Sequence, residues 1–159
     1  MIGLWTVPMI RCIPKGLCSW NFDIAGSGHF ASTQLNWLGE QGSMTIDGEH
    51  YDIRKDSLFR GHWTLDANST TIASGQKSTA FTRTFELETA AGVVVLRAHS
   101  AFGRTMLLEG AGFDGVIAPA HMFTRRATIS GQVPDFRTAC FAFWLTALLW
   151  RRTAKNNAS

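Results

Sequence analysis

The sequence predicts a mainly β domain: an antiparallel sheet closed into a barrel around a hydrophobic C-terminal helix. Three observations carry this. From Trp20 to about Ile129, short runs alternate apolar and polar residues and stop at Gly, Asp or Asn, the pattern of half-buried strands. Two stretches of that region repeat one another. A run that is apolar on every face follows them, and such a helix is buried in protein or in lipid. The 159 residues fit one domain. At 45% hydrophobic and 17% charged, the chain is not disordered. A mean hydropathy of +0.01 excludes a polytopic membrane protein.

Residues 1–18 contain Pro8, Pro14 and Gly16 and read as an irregular arm, over the barrel mouth or as a frayed leader. The domain proper is expected over residues 19–152. Strand candidates are Trp20–Ile24, Thr33–Trp37, Ser43–Ile46, Tyr51–Ile53, His62–Leu65 and Thr71–Ala73. They continue with Phe81–Leu87, Val93–His99, Thr105–Glu109, Gly115–Ala118 and Thr124–Ile129. Asp47-Gly48, between two alternating runs, marks a hairpin whose turn residues accept positive φ.

Residues 51–65 align without gaps on residues 94–108. Arg54 meets Arg97, Ser57 meets Ser100, Phe59 meets Phe102 and Leu65 meets Leu108. Further on, Ile72-Ala73 meets Ile117-Ala118, and Phe81-Thr82-Arg83 meets Phe123-Thr124-Arg125. Duplication explains the series, with residues 48–87 expected to superpose on 92–129. One unit cannot bury its apolar face alone, whereas two curved together close a core.

Pro134 and Asp135 predict a helix start, giving a helix over about 135–152 with Arg151-Arg152 at its negative end. The apolar run Ala139–Trp150 spans roughly 18 Å at the helical rise, short of a hydrocarbon core of about 30 Å. Threading through a closed barrel is the economical solution. Residues 153–159 read as a disordered polar tail.

With these features in order, the chain resembles the tubby-like barrel group: the tubby C-terminal domain, the plant LURP-one-related proteins and the phospholipid scramblases. The features are the two Gly-then-strand repeats (48–87 and 92–129), the Ser-x-Phe pairs at 57–59 and 100–102, and the terminal helix. The similarity covers about residues 18–152 and is greatest to small bacterial members. It implies a closed antiparallel barrel, typically of twelve strands, around a central helix. The chain lacks the cysteine-rich and proline-rich segments of scramblases and the size of the tubby domain, so their activities do not transfer with the fold.

No motif points to catalysis. Ser74–Thr79 lacks the Gly-Lys-Ser/Thr core of a phosphate loop and reads as a polar hairpin loop. The five histidines show no metal-ligand spacing, and no cofactor is expected. Three cysteines cannot all pair, which favours a reducing compartment. Met1–Ile10 lacks the basic start and small-residue cleavage site of a signal peptide. A cytoplasmic protein, with association at a membrane surface, is expected. A net charge of +3 admits anionic partners without marking a nucleic-acid binder.

The repeated arginines are the candidate site. Period two sets Arg83 on the face of Phe81, Phe85 and Leu87, and Arg125 is its counterpart. Arg54 and Arg97 recur likewise. A guanidinium on an apolar face needs a partner: a repeated salt bridge or carbonyl contact at the rim, or an anion such as a lipid headgroup. The structural contact is the simpler reading; the resemblance lends the anion some support, because tubby domains bind phosphoinositides through basic residues. The expected function is a non-enzymatic binding module for an anionic lipid, a membrane surface or a protein partner. The alternatives are a protein tethered by residues 136–150 in lipid, and an enzyme with a site at the barrel mouth.

Overall fold

The computed structural model describes residues 9–36, 38–79 and 81–158, which form twelve strands and one helix. The strands are β1 Ile10–Pro14, β2 Phe22–Gly26, β3 His29–Leu35, β4 Gly42–Ile46, β5 Glu49–Lys55 and β6 His62–Ala67. They continue as β7 Thr70–Lys77, β8 Thr84–Thr89, β9 Gly92–Ala98, β10 Met106–Gly110, β11 Phe113–Pro119 and β12 Ala127–Gln132. Each pairs antiparallel with its neighbours in sequence, and β1 pairs with β12 to close a barrel. Closure leaves no edge to protect.

Tight turns alternate with longer loops around the barrel. Asp47-Gly48 turns at φ 49° and 86°, both positive, joining β4 to β5 as its sequence predicts. Ser27-Gly28, Asn68-Ser69 and Ala111-Gly112 make the equivalent turns, also at positive φ. In an up-and-down barrel all such turns lie at one end. The six loops, residues 15–21, 36–41, 56–61, 78–83, 99–105 and 120–126, therefore share the other end.

Three expectations are corrected. Of the arm expected over residues 1–18, residues 1–8 lie outside the described residues, and β1 occupies 10–14. Ile10 and Cys12 point inward, and Ile10 pairs with Ile129 while Cys12 pairs with Ile24, filling the seam between β12 and β2. Several strands start later than alternation implied. Thr79 Oγ1 accepts the amides of Phe81 and Thr82, folding that stretch into a turn, so β8 begins at Thr84. Thr124 Oγ1 likewise accepts the Arg126 amide, and β12 begins at Ala127. The Trp37 end of one candidate lies outside the described residues. The supposed tail is also helical: α1 runs Phe136–Asn157. Arg152 is held by Glu40, and Thr153 Oγ1 bonds the Leu149 carbonyl.

The helix fills the barrel. Asp135 caps it through the Thr138 amide at 3.2 Å. Residues 138–151 are all buried. Phe143 meets the ring of Phe22 edge-on at 4.8 Å. Trp144 and Trp150 donate their indole N–H to the carbonyls of Gln34 and Arg104, both at 3.0 Å. Thr146, the polar interruption, bonds the Ala142 carbonyl. The helix packs tightly on the wall at Gly75, where a Cβ would stand 3.1 Å from Leu145 Cδ1 and 3.0 Å from Leu87 Cδ2. Cys12 and Cys140 lie in this core, and burial raises both thiol pKa values.

The repeat is finer than two halves. Odd-numbered strands begin at 10, 29, 49, 70, 92 and 113, so a unit of two strands recurs every 19–22 residues, six times. Residues 48–87 and 92–129 each cover two units with the same strand order. One alignment was accidental. Leu65 pairs with Ala73 and Leu108 with Gly115, so the counterpart of Ala73 is Gly115, not Ala118.

Candidate functional site

The loop end of the barrel concentrates the chain's positive charge. The six loops and residues 151–158 hold nine Lys and Arg against two acids, Glu40 and Asp56. The rest of the chain holds the other six Lys and Arg and ten acids.

Three arginines brace these loops. Arg83 donates to the carbonyls of Gly103 and Ser100, both at 2.5 Å. Arg104, 21 residues on, donates to Thr124 at 2.7 Å and His121 at 2.9 Å. Arg125, 21 residues further, donates to Ser19 at 3.1 Å and lies 4.1 Å over the ring of Trp20. Each guanidinium thus spans from its own loop to the next. Planar forked donors suit two carbonyls at once.

Of the four arginines singled out in the sequence, Arg83 and Arg125 are these braces. Arg54 and Arg97 lie on the outer wall. Arg97 makes a two-pronged bond to Glu109 at 3.0 and 3.3 Å, and Arg54 sits 3.6 Å from Asp66. Both pairs are 43 residues apart in the repeat. The four do not converge, and each already has a carbonyl or carboxylate partner.

Convergence occurs elsewhere. Lys55 at the end of β5, Arg60 in the next loop, Lys77 at the end of β7 and Arg152 on α1 line one cleft of about 500 Å³, with Ser78 and Thr79. Glu40 is the carboxylate beside it. It accepts from Lys55 at 2.6 Å and from both prongs of Arg152, one at 2.6 Å. The bonds from Arg152, more than those from Lys55, hold the Glu40 carboxyl down at about 2. Both cations also lie over the ring of Trp63, at 5.5 and 5.6 Å. Burial, and then repulsion from Arg152, lower the Lys77 pKa. The cleft is short of negative charge.

No family model, curated protein or solved structure matches the chain. Function must therefore be argued from the rim itself.

Little in the sequence pointed to this cleft. Lys77 sat in what read as a hairpin loop, but β7 runs through it and the loop starts at Ser78. Arg152 read only as a charge at the helix end. Pairing β5 with β6, and β6 with β7, brings Lys55, Arg60 and Lys77 together. On another flank of the helix end, a hollow of about 380 Å³ is walled by Trp20, Leu35 and Ala154. It is largely apolar and carries no comparable cluster.

Proposed function

We propose that the protein is a non-enzymatic binding module for a phosphate-bearing anion, held in the cleft of Lys55, Arg60, Lys77 and Arg152. The observation that carries this is four cations converging beside a single carboxylate. A phosphate oxygen would accept from these cations and from the hydroxyls of Ser78 and Thr79. It would also offset the repulsion from Arg152 that, after burial, lowers the Lys77 pKa.

Two features favour binding over catalysis. Glu40, at about 2, stays ionised through the physiological range and is a poor proton shuttle. The barrel interior is packed with α1. The helix is enclosed by strands over its apolar length, and no helix among the described residues is long and apolar enough to cross a membrane.

Titration calorimetry with pyrophosphate tests the reading. Binding should weaken with salt. Arg60→Gln and Lys77→Gln should each weaken it roughly tenfold, the worth of one charge-assisted bond. Arg97→Gln, on the outer wall, should not. Absence of binding, or equal affinity in all three variants, refutes the proposal.

A further inference from the structure

One side chain in each of the six loops has no packing role. Leu17, Leu38, Phe59, Phe81, Phe102 and Phe123 are 100%, 102%, 63%, 98%, 99% and 89% exposed. They recur every 21 or 22 residues, at one position of the two-strand unit, so they stand as a ring around one end of the barrel. Leu58 and Met122, also exposed, widen it at two points. Scattered exposed hydrophobics need no explanation, but a periodic ring of them does. In three successive loops the phenylalanine is followed two residues later by the bracing arginine: Phe81 and Arg83, Phe102 and Arg104, Phe123 and Arg125. Each guanidinium fixes the backbone of the following loop. The apolar tips are therefore held on a braced rim.

We infer that this rim is a membrane-docking surface, on which the six apolar tips enter one leaflet of an anionic bilayer together and the barrel stands upright upon it. A planar interface is the partner that meets six tips at one level around a ring. The charge fits the same partner. The rim's cations stand beside the apolar tips, in the loops and on α1, where anionic headgroups would lie. Arg126 and Lys155 are exposed there. The rest of the chain carries the acidic excess. A second copy of this chain is a poor occupant, since two rims of the same sign would repel. The six tips are different residues from the cleft, which shares only Arg60 and Arg152 with the rim's cations, and the inference stands without the cleft.

Flotation with vesicles of phosphatidylcholine and phosphatidylserine, against phosphatidylcholine alone, is the experiment. The protein should float with the anionic vesicles. Phe81→Ser, Phe102→Ser and Phe123→Ser should each lower affinity by roughly tenfold, as expected from one buried aromatic side chain, and the triple variant should not float. Phe30→Ser, half-exposed at the turn end, should behave as wild type. Phe102→Trp alone should be quenched by brominated lipid, a readout that survives if the triple variant misfolds. Arg60→Gln and Lys77→Gln should leave that quenching in place, which separates the ring from the cleft. Unquenched Phe102→Trp, unchanged flotation of the folded triple variant, or a wild-type dimer that the triple variant dissociates would overturn the inference.

Discussion

Arg83 and Arg125 were legible in the sequence because each follows Phe-Thr, yet their partners were not. Period two placed them on an apolar strand face. Both instead precede their strands and reach backbone carbonyls of the next loop. Arg104 makes the same contact and escaped notice, because Phe-Gly-Arg hides the likeness to Phe-Thr-Arg. Backbone acceptors have no letter in a sequence, so such braces are invisible until the loops are placed. Glu40 shows the same limit, gathering Lys55 and Arg152 from across the fold. Its depressed pKa gives a pH prediction. A carboxyl lowered on folding stabilises above its unfolded value and loses that contribution as pH falls through its folded one. Here the window runs from 4.5 down to about 2. Solvent screening limits the effect to about 1 kcal/mol. Glu40→Gln should cost that much at pH 7, measured by urea unfolding. It should also flatten the acid limb of the stability curve within the window. An acid limb identical to wild type would deny Glu40 this role.

At the scale of elements, strand existence was legible and strand ends were not. Thr79 and Thr124 capture amides that alternation alone assigns to a ladder. β1 was missed because Pro8 and Gly16 flank five residues that themselves end in Pro14, although Ile10 and Cys12 alternate correctly with Arg11 and Ile13. Parity could have revealed it. An all-antiparallel closed barrel needs an even number of strands, and eleven candidates leave one wanting. The helix was read correctly as buried, since nothing polar but Thr146 interrupts Ala139–Trp150. Its final turns were missed because bonds from Arg152 to Glu40 and from Thr153 to Leu149 hold them, not an apolar face. Leu145 is fully buried against Gly75. Leu145→Asp should cost several kcal/mol, most of a typical domain's stability. Leu38→Asp, on the exposed rim, should cost little. Chemical denaturation of the pair checks this, and a cooperatively folded Leu145→Asp protein would contradict the central packing of α1.

On the scale of the molecule, the sequence displayed a repeat but at twice its period. Core positions exchange Ile, Leu, Phe, Ala and Gly to fit around α1, which blurs the two-strand unit. Matches such as Ser57 with Ser100 and Phe59 with Phe102 survive in the loops and bring out the 43-residue spacing first. The net charge of +3 likewise conceals a strongly basic rim over an acidic body. Composition averages over a surface that topology divides in two.

The barrel's seam has a consequence for biosynthesis. β1 and β12 meet across more than a hundred residues, and α1 comes after both in the chain. During translation every strand leaves the ribosome before the helix that fills them. A closed, empty barrel would be a poor product, because Trp144 and Trp150 could not be threaded through it afterwards. The sheet must stay open until α1 emerges, then wrap around it and zip at β1–β12. Native structure should thus arise late and all at once, as its long-range pairing also favours. Nascent chains released after Gln132 should be digested readily by protease, and those extending past Asn157 should resist.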